Sequence, residues 1–121
     1  MSFERLRSGK TGEDSAVAFL GKKGYRVIER NFKNDLGEID IIAWDKGTLC
    51  FIEVKTRTSD IFGSPFESVT AAKQKKLIRT AQSYLKFTGQ SDVKARFDVI
   101  AVMLTDARVQ SIDIVRNAFE M

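Results

Sequence analysis

Three charged side chains interrupt two apolar segments of this chain: Asp40, Glu53 and Lys55. The first lies in EIDIIAW and the other two lie in TLCFIEVK, and both segments have the composition of β-strands. A strand that only filled a core would not need these charges, so we take them as candidates for chemistry. Carboxylates supply the oxygen ligands that Mg²⁺ prefers, and a nearby lysine can stabilise negative charge on a phosphoryl group.

The short DKG sequence between the two segments predicts a hairpin that brings the acids together. With a two-residue turn at Lys46-Gly47, or with a four-residue loop around it, Asp40 lies opposite Glu53. Directly opposed residues share one face of the sheet, with Cβ atoms roughly 4.5–5.5 Å apart. Lys55 shares this face because it follows Glu53 by two residues. A three-residue loop shifts the register by one and separates the acids.

Another acid, Glu13, lies on the apolar side of a predicted first helix. Ala16, Val17 and Leu20 follow it at i+3, i+4 and i+7, which places all four on one stripe. A carboxylate on a core-facing stripe is unfavourable unless it is paired or bound to a metal. We therefore regard Glu13 as a candidate to bind a metal through water or to help hold a second ion.

Hydrophobic periodicity predicts a single α/β domain over residues 1–121, with one mixed sheet flanked by two helices in the order α-β-β-β-α-β-β. The first helix is predicted from Gly12 to Lys22, with Thr11 or Ser8 as its cap. The second runs from Ala71 to about Phe87 and is capped by Thr70. The strands are predicted at residues 25–32, 38–44, 48–55, 95–104 and 109–115.

Composition excludes several classes of function. Histidine is absent, which excludes serine–histidine triads and histidine-dependent nucleases. A single cysteine, Cys50, cannot form an internal disulfide or a zinc knuckle. The chain has no run of eighteen apolar residues, and its first residues, MSFERLRSGK, lack the apolar stretch of a signal peptide. We therefore expect a cytoplasmic protein with no membrane partner.

The second predicted helix is strongly basic, in a chain whose formal net charge is +4. It has no acid between Ala71 and Thr88, so it presents either a solvated face or a face that contacts phosphates. On the second interpretation the helix N-terminus also favours an anion. Arg57, which follows the strand of Lys55, is either a further phosphate contact or an ordinary polar loop residue. The candidate nucleic-acid contacts are Lys73, Gln74, Lys76, Arg79 and Arg57.

Other side chains have simpler interpretations. Asp98, within RFDVIAV, is expected to pair with Arg96 or with a neighbouring lysine. Trp44, Leu49 and Phe51 share the Asp40 face and are expected in the core rather than as residues that stack on bases. Cys50 points to the opposite face as a buried apolar residue.

The order of these motifs resembles the PD-(D/E)XK nuclease superfamily, with Glu13 first, then Asp40 in GEID, then Glu53 and Lys55 in FIEVK. Within it, the chain resembles the small bacterial YraN-like family, which is related to archaeal Holliday-junction resolvases. The likeness covers nearly the whole chain through GEDSAVAFL, RNF, GEIDIIA, FIEVKTR and RFDVIAV. One departure is Ile39, which stands where the superfamily motif has a proline.

The resemblance implies a restriction-endonuclease-like core and a specific site. Mg²⁺ or Mn²⁺ would be bound by Asp40, Glu53 and the backbone carbonyl of Val54. Lys55 would be the catalytic lysine, and Glu13 would be the helix carboxylate of the resolvases.

The activity implied by the resemblance is metal-dependent hydrolysis of DNA phosphodiester bonds, including those of branched, Holliday-junction-like DNA. Symmetric cutting of a junction favours a homodimer. The alternative is a non-catalytic nucleic-acid-binding or assembly protein that retains the nuclease fold.

Overall fold

The order of helices and strands follows the sequence prediction. A computed structural model of the chain describes residues 3–58 and 64–120, with side chains of the first segment from residue 9 onward. The elements are α1 (Phe3–Lys22), β1 (Arg26–Asn34), β2 (Gly37–Asp45), β3 (Thr48–Arg57), a short 3₁₀ helix (Pro65–Ser68), α2 (Ala71–Phe87), β4 (Lys94–Thr105) and β5 (Arg108–Phe119). The predicted α-β-β-β-α-β-β order and mixed α/β class are confirmed.

The five strands form one sheet in the order β1-β2-β3-β4-β5. Neighbouring strands are antiparallel, except that β3 and β4 are parallel. A parallel pair needs a crossover connection, and here the connection contains the 3₁₀ helix and α2. β3 therefore lies in the middle of the sheet, with both of its edges hydrogen-bonded to other strands.

The helices cover opposite faces of the sheet, so alternate residues of each central strand enter different cores. On the α1 side, Ala16 and Leu20 pack with Cys50 and other buried strand residues. On the α2 side, Leu77 packs with Phe51 in a cluster that also includes Leu49, Ala81 and Phe97. The predicted facing of the β3 residues is confirmed. Neither α1 nor α2 is long and apolar enough to cross a membrane.

The two helices differ in how well their starts were predicted. α2 begins as expected, because the Thr70 hydroxyl accepts a hydrogen bond from the backbone N–H of Lys73 at 3.3 Å. The predicted start of the first helix at Gly12 is wrong, since α1 begins at Phe3 and contains both proposed caps, Ser8 and Thr11.

Gly12 instead marks the close contact between α1 and the sheet. A Cβ atom at this position would lie 2.0 Å from Oγ1 of Thr56 on β3. Glycine usually destabilises a helix interior by about 1 kcal/mol relative to alanine. Here the missing side chain is what allows the helix to approach the strand this closely.

A buried ionic network ties the strands together at the sheet end that contains the β2–β3 turn. The Asp98 side chain, 0% exposed, accepts hydrogen bonds from Nε of Arg96 (3.0 Å), the hydroxyl of Tyr25 (3.0 Å) and the backbone N–H of Asn117 (2.8 Å). Arg96 also donates to Asp45 at 2.7 Å. Burial, reinforced by Asp98, raises the pKa of Tyr25 to about 12. The predicted pairing of Asp98 with Arg96 is confirmed.

Candidate active site

The β2–β3 hairpin has the register that a two-residue turn predicts. Residue pairs run from Asp45↔Thr48 to Ile41↔Ile52, with Lys46 and Gly47 between the strands. The ladder does not extend to the predicted pair of Asp40 and Glu53. Instead, the Asp40 carboxylate accepts a hydrogen bond from the backbone N–H of Val54 at 2.8 Å, which fixes its position against β3.

The backbone is irregular next to Asp40. Asn31, on the neighbouring strand β1, has φ 54°, which is the left-handed region. The β1–β2 pairs pass from Arg30↔Ile41 to Phe32↔Ile39, so Asn31 and Asp40 are skipped together. Ile39 consequently packs in the α2-side core whereas Ile41 packs in the α1-side core, although strict alternation would place both on one face.

The carboxyl groups of Asp40 and Glu53 nevertheless meet within hydrogen-bonding range. Burial of Glu53, followed by its hydrogen bond and charge interaction with Asp40, raises the pKa of Glu53 to about 8. Two adjacent acids in a partly buried site cannot both ionise without cost, so a proton or a cation must lie with them. At neutral pH and without a cation, the raised pKa therefore favours one retained proton on the acid pair.

Lys55 is half-buried beside this pair. Burial lowers the pKa of Lys55, the charge of Glu53 opposes that effect, and the ammonium group of Lys73 lowers the pKa further. Lys73 comes from the first turn of α2, and its charge also acts on Glu53. The structure thus brings together Asp40, Glu53 and Lys55, and it adds Lys73, which sequence reasoning assigned only to general nucleic-acid contact.

Glu13 is occupied by basic and polar partners from β1. Its carboxylate, 17% exposed, accepts from Nε of Arg30 at 3.1 Å and from the side-chain amide of Asn31 at 2.9 Å. Arg30 also contacts Asp14 at 2.6 Å. Sequence reasoning did not identify Arg30 or Asn31, because their link to α1 is a tertiary contact.

No group of three or more carboxylate, histidine or cysteine side chains within residues 3–58 and 64–120 is arranged to hold a metal ion. Of the three predicted acidic ligands, Asp40 and Glu53 are the two whose carboxyl groups interact with each other. A ligand role for Glu13, and for the Val54 carbonyl, stays a prediction.

The candidate nucleic-acid residues of α2 point in different directions. The charge of Lys73 opposes the rise in the pKa of Glu53, whereas the aliphatic stem of Lys76 lies against Gly37 at the β1–β2 turn. Arg79 is exposed and, by the 100° rotation per residue of a helix, lies on the side away from the sheet.

The remaining two candidates are less exposed. The Gln74 side-chain amide donates to the carbonyl of Val69 at 3.1 Å, which holds the turn before α2. Arg57 is half-buried and ends β3. Contact of these residues with nucleic acid remains a prediction.

The acid pair predicts an unusual dependence of stability on pH in the metal-free protein. Between pH 4.5 and 8 an unfolded chain releases the Glu53 proton, whereas the folded chain retains it. Stability should therefore fall as pH rises through this window and level off above it. A one-unit difference in pKa corresponds to about 1.4 kcal/mol, so the full effect is on the order of a few kcal/mol.

Replacing Glu53 tests this expectation. Glu53→Gln should flatten the decline and raise the melting temperature at pH 9 relative to wild type, with little effect at pH 5. The measurement is thermal unfolding in chelator across pH 5–9, with exposed Glu38→Gln on the same hairpin as the control. If the melting temperature of Glu53→Gln fell with pH as steeply as that of wild type, the proposed interaction between Asp40 and Glu53 would be contradicted.

Comparison with known proteins supports the family-level part of the resemblance. The model of "Uncharacterised protein family UPF0102" matches residues 12–102. A UPF0102 protein of Desulfosudis oleivorans is 48% identical over 117 residues, covering 97% of this chain and 93% of that protein. A UPF0102 protein of Moorella thermoacetica is 44% identical over 120 residues, covering 98% and 100%. The chain therefore belongs to the UPF0102, or YraN-like, family.

Proposed function

We propose that this protein is a divalent-metal-dependent endonuclease that hydrolyses DNA phosphodiester bonds, with branched DNA among its candidate substrates. The main support is the contact between the carboxyl groups of Asp40 and Glu53 beside the ammonium group of Lys55. This arrangement agrees with the PD-(D/E)XK resemblance of GEID and FIEVK. A cytoplasmic location, with access to DNA and Mg²⁺, belongs to the same proposal.

The donor set suits a hard cation. Asp40 and Glu53 offer oxygen ligands only, and Mg²⁺ is commonly held by one or two carboxylates. A bound cation would offset their mutual repulsion. These two residues would hold Mg²⁺ or Mn²⁺, with the Val54 carbonyl as the third ligand that the resemblance implies. When bound, the ion supplies polarisation of the phosphodiester and lowers the pKa of water.

The chain's own residues would then orient the reaction and stabilise its charge. The Val54 N–H holds the Asp40 carboxylate in place. Lys55 places a compact positive charge where negative charge grows on the phosphoryl oxygens. Water forms the new bond to phosphorus, the bond to one sugar oxygen breaks, and the proton from water goes to that departing oxygen. The products are a phosphate monoester and a hydroxyl end.

The ion pair of Glu13 favours a second candidate function. Arg30 and Asn31 both bind Oε1 of this carboxylate, so part of its capacity to bind a metal is already used within the protein. A non-catalytic protein that binds nucleic acid on a retained nuclease fold would have no use for a third acidic ligand.

Symmetric junction cutting, in contrast, would require two copies of the chain, and so a homodimer belongs with the nuclease proposal.

Metal binding separates these two functions. We expect calorimetry to show Mn²⁺ binding to the wild type and loss of that signal in Asp40→Asn and in Glu53→Gln. Glu38→Gln, an exposed acid two residues before Asp40, should bind as the wild type does. Full retention of the metal signal in both site variants would overturn the site assignment.

Activity requires a second measurement. The wild-type protein is incubated with labelled single-stranded, duplex, flap and four-way DNA, each with and without Mn²⁺. Cleavage that needs Mn²⁺ and both acids supports the nuclease. Binding of DNA with no cutting of any substrate favours the non-catalytic function.

A further inference from the structure

Strands β1 and β2 both change face at the same point, which we call the face reversal. On β2, Ile39 packs in the α2-side core and Ile41 in the α1-side core. On β1, Arg30 contacts α1, whereas Phe32 packs in the α2-side core. Residues two apart in a regular strand share one face, so each strand turns over within two residues. Asn31, the residue of β1 at this point, has the left-handed φ of 54°.

The face reversal lies where the sheet divides. The β2–β3 ladder ends at Ile41↔Ile52, and the neighbouring residue of β2, Asp40, is paired in neither ladder. The Asp40 carboxylate instead accepts a hydrogen bond from the Val54 N–H at 2.8 Å. The β1–β2 register is the same on both sides of Asp40, so a rotation of the backbone, and not an inserted residue, frees this position.

Asparagine suits the backbone conformation at position 31. Among residues with a Cβ atom, asparagine and aspartate enter the left-handed region most readily, whereas β-branched residues there are outliers. The Asn31 amide donates to Oε1 of Glu13 at 2.9 Å, which ties the face reversal to α1. Aspartate would lack this donor and would repel Glu13. Asparagine therefore combines the required conformation with a hydrogen bond that secures it.

We infer that Asn31 is a positioning residue, whose left-handed backbone releases Asp40 from the β1–β2 ladder so that its carboxylate reaches the Val54 N–H. Asn31 acts only through the direction of Asp40. The use of Asp40 as a metal ligand rests on the proposed function, whereas its placement by Asn31 does not. The inference gives a residue of β1 a role in a site whose predicted ligands come from α1, β2 and β3.

Two variants at position 31 separate this backbone effect from a general loss of stability. Asn31→Val opposes the left-handed conformation because valine is β-branched, whereas Asn31→Gly adopts that conformation freely. Asn117→Val is the matched control, since Asn117 has φ 53° and lies on β5, at the other edge of the sheet. It imposes the same kind of strain on a strand that does not pair with β2.

The first arm of the test follows amide hydrogen exchange by NMR in the absence of metal and DNA. In Asn31→Val, the Val54 N–H should exchange about tenfold faster relative to the Cys50 N–H of the same strand, because its acceptor is no longer held in place. In Asn31→Gly and Asn117→Val, this ratio should stay within about threefold of wild type. If Asn31→Val does not fold, Asn31→Ala takes its place. An unchanged ratio in the variant used, or an equal rise in Asn31→Gly, overturns the inference.

The second arm measures Mn²⁺ affinity by calorimetry. Asn31→Val should weaken Mn²⁺ binding about tenfold because one ligand is misplaced, and Asn31→Gly should retain most of the affinity. Asn117→Val should bind Mn²⁺ as wild type does. Wild-type affinity in Asn31→Val would show that Asn31 does not position Asp40. If wild type binds no Mn²⁺, the metal site of the proposed function fails, and the Val54 exchange ratio still decides the role of Asn31.

Discussion

Lys55→Ala should reduce the rate of DNA cleavage on the order of 10²–10³-fold while changing DNA affinity far less. The proposed task of Lys55 is to stabilise charge that appears in the transition state, and DNA in its ground state is held mainly by other basic residues. An interaction that strengthens only in the transition state affects the rate rather than the binding. Half-burial beside Glu53 makes this charge more effective than an exposed one.

The measurement is single-turnover cleavage beside equilibrium DNA binding. Lys86→Ala, which removes an exposed lysine from the other end of α2, is the matched control and should leave the rate unchanged. Lys55→Arg should restore only part of the activity, because a planar guanidinium replaces a compact ammonium group. Mn²⁺ binding should persist or tighten in Lys55→Ala. Equal losses of rate and affinity would reduce Lys55 to a phosphate anchor.

Asp98→Ala should lower the free energy of unfolding by about 3–5 kcal/mol, because removing one partner of a buried ion pair leaves the other uncompensated. Arg96 would keep Asp45 as its only carboxylate partner, beside the Tyr25 hydroxyl. Both the Tyr25 hydroxyl and the Asn117 N–H would lose their acceptor. A domain typically has only about 5–15 kcal/mol of stability, so this loss is a large fraction of the total.

Urea unfolding followed by the fluorescence of Trp44, the single tryptophan, measures this loss. Asp113→Ala, an exposed acid on β5, is the control and should change stability by no more than about 0.5 kcal/mol. The double variant Arg96→Ala/Asp98→Ala should be more stable than the sum of the single losses allows. Additive losses, or a loss below about 1 kcal/mol in Asp98→Ala, would contradict the network.

Elements governed by local signals could be predicted from the sequence. Thr70 caps the start of α2, and Gly89 follows its end with φ 70°. Both effects depend only on residues close by in the chain. The β2–β3 hairpin follows from alternation and from a turn in which Lys46 adopts φ 56°. In both cases the residues that determine the structure lie next to it in the chain.

Features governed by distant contacts could not be predicted in the same way. Asp40 and Glu53 meet, but their expected ladder pairing is replaced by a hydrogen bond from Val54 beside an irregularity at Asn31. The apolar stripe of α1 indicated that the Glu13 carboxylate needs a partner or a metal. The partners of Glu13 on β1, however, depend on how the helix lies across the sheet. The sequence therefore indicated the chemical groups of the site more reliably than their pairing.

Lys73 illustrates the same limit on α2. The sequence grouped it with Lys76 and Arg79 by charge, whereas the direction of each side chain depends on which helix face meets the sheet. That face could be inferred from Leu77 and the apolar residues after it, and extending the stripe backward by one turn would have identified Lys73. The spacing between Lys73 and Leu77 indicates that both lie on one helix face, but a search for apolar residues does not include a lysine.

The contact between Gly12 and Thr56 links two positions that are 44 residues apart in numbering but touch in the fold. Any side chain at position 12 has to displace Thr56 or lift α1 from β3, and Glu13 would move with the helix. Whether a residue larger than glycine is tolerated at position 12 thus depends on the size of the residue at position 56. In a combinatorial library, alanine at position 12 should survive mainly beside a smaller residue at position 56, so that the two sites evolve as one unit.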